Sequence, residues 1–225
     1  MQDSSASQAR FGGIVLVVSS LLSVLAMAHH PSVSAPDMAT ALQAIKEMTA
    51  LSGWVHGILI ALMLVTLWAL TEFCRQRGFE RPLVRAGLVF YCAGVFSMIV
   101  AAAVSGWITP AVAAFVPAPT DQDLHTLDLL LHFGGMVNRS MADIGAVAMS
   151  AGIFFWSLGL VHDTGAARLT GALGILVGLA PALGLIVGAF HLNVPGMLAV
   201  VLAQGLWTLA VGALLISGKA APQST

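Results

Sequence analysis

A row of polar and ionisable side chains recurs at helical spacing in one segment of this sequence. The intervals between its members are 3, 4, 7 and 4 residues, which place all of them on one stripe of an α-helix: His125, Asp128, His132, Arg139 and Asp143. Asp128 and His132, at i and i+4, could address one metal ion. His125 and His132 are two turns apart, about 10.5 Å, which is too far for both to bind that ion. Imidazole with carboxylate is a ligand set typical of zinc or copper(II).

A metal site on this stripe needs a third ligand from another segment. The predicted set is therefore His56, Asp128, His132 and His191, with the adjacent His29 and His30, and His125, as further candidates. Alternatively, two of His56, His132 and His191 could hold a b-type haem if they lie at matched depth on facing helices. No HExxH or CxxC spacing supports a metal. Histidines that serve only in hydrogen bonds, with no cofactor, are the other interpretation.

Arg139 and Asp143 predict a second polar feature inside the membrane. At i and i+4 they can form an ion pair, and a charge that faces lipid is costly, so both should face other helices or a wet cavity. The pair could hold helices together. It could also form a pocket for a substrate, an ion or a proton, or lie at a solvated position of the membrane interface.

The composition decides the class of protein that must position these residues. Of 225 residues, 58% are hydrophobic and 8% are charged, whereas soluble domains carry about 25% charged residues. The chain is therefore expected to be an all-α integral membrane protein with one transmembrane domain over residues 1–225. A net charge of −1 and the absence of a Gly-rich phosphate loop give no sign of nucleic-acid binding. Neither cysteine lies in a CxxC, so free thiols are expected.

Six apolar runs are long enough to cross a bilayer, which takes about 20 residues. They cover residues 11–28, 53–73, 85–106, 135–160, 168–190 and 195–216, joined by short loops. A short amphipathic helix is predicted over about 35–49, opened by a capping box from Ser34 to Asp37. A second capping box from Thr120 to Asp123 predicts a helix of about forty residues that reaches Leu160, unless Gly134 and Gly135 break it.

Basic residues predict the orientation, because Lys and Arg concentrate in cytoplasmic loops. Four of them crowd the connection between the second and third runs, and seven of the nine fall on that side of the membrane. Both termini are then cytoplasmic, and every histidine except His162 lies at the outer face. The plan is similar to that of many bacterial inner-membrane proteins, which implies a multi-pass protein of that membrane.

The residues leave several functions open. An outer-face metal or haem protein, a small transporter that uses Arg139 and Asp143, and a non-enzymatic accessory subunit are the main ones. A membrane-embedded hydrolase is weaker, because no third zinc ligand is evident, and an enzymatic role is not favoured. The small-residue spacings Gly174xxxGly178 and Gly184xxxGly188 would allow close helix packing, with a partner protein or a second copy.

Residues 26–30, AMAHH, raise the question of a signal peptide. Ala26-Met27-Ala28 matches the cleavage pattern, and cleavage would expose His29 as a new N-terminus. The apolar run of 18 residues is longer than the 7–15 typical of a signal peptide. A retained first helix is therefore the prediction, with His29 and His30 at its outer end.

Overall fold

Eight α-helices and one π-helical turn build the part of the chain that a computed structural model describes, residues 2–33, 35–117, 119–189 and 191–222. The helices are α1 (Gln2–Ala28), α2 (Met38–Glu47), α3 (Thr49–Arg77), α4 (Pro82–Ala103), α5 (Thr109–Ala114), α6 (Asp121–Leu160), α7 (Gly165–Ile186) and α8 (Val194–Ile216). The π-helical turn, Val104–Ile108, joins α4 to α5.

Within the described residues, six helical segments are long and apolar enough to span a membrane, which confirms the predicted all-α six-span architecture. They are the segment Ala6–Ala28, α3, the continuous segment Pro82–Ala114, α6, α7 and α8. Because α7 ends at Ile186, His191 lies in the connection to α8 and not at the end of a span. The chain therefore has the architecture of a multi-pass membrane protein.

The third span continues past Gly106, where the sequence suggested that it ends. It passes through the π-helical turn and reaches Ala114. Pro110 lies just after this turn and has no N–H to donate to the carbonyl of Gly106, four residues earlier. The wider turn lets the helix continue around this missing hydrogen bond.

Helix α6 runs for 40 residues without a break at Gly134 and Gly135. Its predicted capping box is present: the amide of Asp123 donates to Thr120 Oγ1, and the amide of Thr120 donates to Asp123 Oδ2. At 1.5 Å per residue the helix is about 60 Å long, twice the hydrocarbon thickness. Asp37 caps α2 by accepting from the amide of Thr40. Ser34, the first residue of the other predicted capping box, lies outside the described residues.

The six spans form a closed ring. Around it, α1 packs against α3, α3 against α4, α4 against α6, α6 against α7, α7 against α8, and α8 against α1. We call the end where α3 gives way to α4 the Arg77 end, and the end where α1 finishes the His30 end. At the Arg77 end large aromatic side chains fill the ring, with Trp156 and Trp207 stacked at 5.8 Å between ring centroids.

Hydrogen bonds from Arg77 join the chain segments that meet at the Arg77 end. The Arg77 side chain is buried, and its guanidinium donates to Asp163 Oδ2 at 2.5 Å, to the carbonyl of Gly159 at 3.1 Å and to that of Ala220 at 3.3 Å. These acceptors come from the end of α6, the following turn and the segment after α8. One buried cation thus joins three chain segments.

The small-residue spacing of α7 is used inside this chain. A Cβ on Gly174 would collide with the indole of Trp207 on α8, and one on Gly178 would lie 2.8 Å from the carbonyl of Ser150 on α6. These two glycines therefore let α7 approach its neighbours in the ring. An interface with another protein at this spacing stays a prediction.

Candidate functional site

A cavity of about 560 Å³ occupies the centre of the ring at the His30 end. Helices α1, α3, α4, α6 and α8 contribute its walls, mostly with apolar or small side chains. Its main polar groups are His30, His56, Tyr91, Asn138, Arg139 and Gln204. Its volume lies within the range of about 300–1,000 Å³ usual for small-molecule sites, which are likewise apolar with a few placed polar groups.

The cavity is elongated parallel to the helices. On α6 its wall runs from Asn138 to Met149, a rise of 11 steps along the helix and so about 16 Å. On α3 it runs from His56 to Thr66, about 15 Å. Its shape suits a molecule with a long narrow part that lies between the spans.

Arg139 lines this mostly apolar cavity and places a positive charge at its mouth, where the residue is otherwise exposed. It lies 21 residues before Leu160, about 32 Å along α6, whereas the hydrocarbon core is about 30 Å thick. If the membrane's other boundary lies near Leu160, the guanidinium is close to the level of the lipid headgroups. Asn138 also lines the cavity and adds an amide to this polar end.

The predicted ion pair between Arg139 and Asp143 is not formed. Among the described residues, Arg139 has no carboxylate within 4.0 Å, and Asp143 is not part of the cavity wall. Helical spacing allows such a pair but does not enforce it, because the long arginine side chain has other rotamers, and here Arg139 is exposed at the edge of the cavity. Oδ1 of Asp143 is buried and has no hydrogen-bond partner among the residues that the structure describes.

Two histidines from different helical segments meet at the cavity wall. Nε2 of His30 lies 3.0 Å from Nε2 of His56, and their ring planes are 77° apart. Nδ1 of His56 lies 2.8 Å from the carbonyl of Ser52, one turn earlier on α3. The N–H at Nδ1 donates to that carbonyl, so Nε2 of His56 carries a lone pair and accepts from His30.

The π-helical turn supports the position of His56. The amide of Thr109 donates to the carbonyl of Val104, five residues back, which frees the carbonyl of Ser105. The hydroxyl of Ser52 donates to this freed carbonyl at 3.1 Å. Gly106 allows the close approach, since a Cβ there would lie 2.7 Å from Cβ of His56. Such turns are often found at functional sites.

Burial and the neighbouring His56 both lower the pKa of His30 from its usual value. A lowered pKa favours the neutral form of an imidazole. Nδ1 of His30 is also buried and has no hydrogen-bond partner of ordinary geometry. His30 is thus a partly unsatisfied polar group, favoured in its neutral form, in a mostly apolar wall.

The other predicted ligands lie elsewhere. Asp128 Oδ1 is 3.1 Å from Nδ1 of His132, as their spacing predicts, but the His132 side chain is 74% exposed. His29, His125 and His191 are exposed. In the described part of the chain, no three His, Cys, Asp or Glu side chains are grouped to hold a metal ion.

The three histidines predicted as haem ligands are not paired with one another within the described residues either. The structure places His56 against His30 and His132 against Asp128. Between His56, His132 and His191 there is no hydrogen bond or ring contact within the described residues. A haem ligated by two of these three stays a prediction from the sequence alone.

Sequence reasoning missed the cavity and the partnership of His30 with His56. Gly106 followed four residues later by Pro110 was an available sign of an irregular helix beside a close contact. A second sign was methionine: five of the ten methionines line the cavity, namely Met27, Met63, Met98, Met149 and Met197.

The chain was compared with protein-family models, with curated proteins and with solved structures, and none of them matches it. The function is therefore inferred from the geometry of the cavity.

Proposed function

We propose that this protein binds an elongated amphipathic anion in the cavity at the His30 end. The acidic head contacts Arg139 and Asn138, and the apolar tail lies along α6 and α3 between the spans. The distribution of Lys and Arg favours the outer side of the membrane for this end, which is the periplasmic side if the protein belongs, as we propose, to a bacterial inner membrane. Whether the anion is moved or only held, this site is where the chain recognises it.

The observation that carries the proposal is a cation without a carboxylate partner in the wall of an apolar cavity. Arg139 forms no ion pair with a described residue. A guanidinium offers five N–H donors in a planar fork that matches a carboxylate or phosphate. An anionic head supplies the missing acceptors, and a tail removes the apolar wall from water.

The head could belong to a free fatty acid or to an anionic phospholipid, because carboxylate and phosphate present the same chemistry to Arg139. The test uses purified full-length protein in nanodiscs of neutral lipid, titrated with a fluorescent medium-chain fatty acid. Unlabelled fatty acid, the alcohol of equal chain length and short-chain phosphatidylglycerol then compete for the site. The proposal expects displacement by the acid or by phosphatidylglycerol, and whichever is stronger identifies the source. Equal displacement by acid and alcohol would refute it.

A transition metal on the α6 stripe is a second candidate, favoured by the contact of Asp128 with His132. The two donors are oriented by one helix turn, but a third donor must come from water or from another segment. Zinc titration of the native protein and of His132→Ala tests this candidate. Zinc binding that weakens in the variant would support it, and equal binding would exclude it.

A further inference from the structure

The histidine pair separates two cavities. His30 and His56 line the large cavity and also a smaller one of about 200 Å³, which lies against Met48 of the α2–α3 junction, Ser105 and Pro110. Both sides of the pair therefore adjoin empty space. A small ion can reach the two facing nitrogens without displacing helix backbone.

The geometry of the pair suits two ligands of one metal ion. Imidazole nitrogens bind a metal such as zinc at about 2.0–2.1 Å, so two of them on a tetrahedral ion are about 3.3 Å apart. The two Nε2 atoms are 3.0 Å apart, and a separation larger by a few tenths of an ångström would admit the ion. His56 is already oriented as metal-ligating histidines are, with its other nitrogen donating to a backbone carbonyl.

A thioether on the same wall can supply a third donor. Met27 is buried, lines the same cavity, and precedes His30 by three residues; the amide of His30 donates to the carbonyl of Met27 at 3.1 Å. Side chains three residues apart on a helical turn lie on the same side, with Cβ atoms about 5–6 Å apart. No carboxylate or thiolate joins the pair within the described residues.

We propose that Nε2 of His30, Nε2 of His56 and the thioether of Met27 form a site for copper(I). Thioether is a soft ligand that selects copper(I), and imidazole binds copper well. The ion arrives already reduced, so no electron is transferred. It takes the place of the proton at Nε2 of His30, and that proton moves to Nδ1 of the same ring. This site is separate from the α6 stripe and does not depend on amphipath binding.

The test is titration of the purified full-length protein with Ag⁺, an air-stable analogue of copper(I). Copper(I) itself is then titrated without oxygen against a competing chromogenic chelator. We expect one ion per chain, at least tenfold weaker binding in Met27→Leu, and loss of binding in His30→Ala and His56→Leu. Met136→Leu and His132→Ala, both at exposed positions of α6, should bind as the native protein does. Ala102→Phe, which would narrow the large cavity, should retain the metal while it loses the amphipath.

Three results would overturn the proposal. They are no Ag⁺ binding by the native protein, undiminished binding in Met27→Leu, and loss of binding in either α6 control. Thermal unfolding of each variant identifies any that fails to fold. If the histidine variants fail to fold, Met27→Leu, which nearly conserves side-chain volume, decides between the proposal and its absence. X-ray absorption of the copper(I) form should show one sulfur and two nitrogen neighbours, and a shell without sulfur would contradict the ligand set.

Discussion

Nε2 of His30 and Nε2 of His56 lie 3.0 Å apart, although 26 residues separate them in the chain. The contact joins the segment after α1 to α3 at the wall of the large cavity. Ser52 and the π-helical turn fix the position of His56, so His56 provides the fixed half of the pair. Its partner His30 follows the end of α1, on a single turn that also presents Met27 to the cavity.

The His30–His56 contact should appear as coupling in a double-mutant cycle. His30→Ala and His56→Ala are each expected to destabilise the protein, because the first leaves the buried His56 without its partner and the second does so for the half-buried His30. The double variant should lose less than the sum, by about 0.5–3 kcal/mol. The measurement is thermal or denaturant unfolding in detergent. Losses that add to within about 0.5 kcal/mol would show that the two rings do not interact.

Gly106→Ala should destabilise the protein, because the added Cβ would lie 2.7 Å from Cβ of His56, a position that cannot rotate away. Overpacking of this kind costs about 1–3 kcal/mol. The matched control is Gly135→Ala, where nothing lies within 4 Å of the added atom, and a gain of about 0.5–1 kcal/mol is expected in mid-helix. Unfolding midpoints that shift equally in the two variants would contradict the close approach at His56.

Arg77→Ala should be strongly destabilising. The buried guanidinium is paired with Asp163 and also satisfies two carbonyls, and removal of one partner of a buried pair costs about 3–5 kcal/mol. Arg81→Ala is the control, since its 4.0 Å contact with Glu80 is exposed and exposed pairs contribute about 0–1 kcal/mol. If Arg77→Ala lowers the thermal unfolding midpoint no more than Arg81→Ala does, Arg77 does not stabilise the Arg77 end.

Ala102→Phe should abolish amphipath binding without unfolding the protein. Ala102 lines the cavity from α4, so a phenyl ring there takes up space that the tail needs. Val89→Phe adds a phenyl group to the same helix at a position that is 67% exposed, on the outside of the helix ring. It should leave binding unchanged. Binding by Ala102→Phe with native affinity would place the ligand outside the cavity.

The elements of this fold were predictable because they depend on local sequence. Hydropathy over about 20 residues identified six spans, and Thr120 with Asp123 identified the start of α6. Even the boundary error at Gly106 has a local cause, the missing N–H of Pro110.

The cavity and its polar groups were harder to predict, because they depend on which helices are neighbours. Nothing in the sequence says that α8 returns to α1 and closes a ring, and only that closure creates the cavity. The spacing of Arg139 and Asp143 allowed a pair that the structure does not form. The spacing of Asp128 and His132 gave a true contact, yet an exposed one. His30 found its partner on α3, which no helical periodicity could indicate.

Arg139→Gln tests the central claim most directly, because it removes the charge of the cavity wall and keeps a hydrogen-bonding side chain. The measurement is the affinity of native and variant protein, in neutral-lipid nanodiscs, for a fatty acid and for the alcohol of equal chain length. Arg168→Gln is the control and should match the native protein, because this exposed cation at the start of α7 does not line the cavity. The account predicts that Arg139→Gln binds the acid at least tenfold more weakly, about 1.4 kcal/mol, and the alcohol as before. An unchanged affinity for the acid, or an equal loss for acid and alcohol, would contradict it.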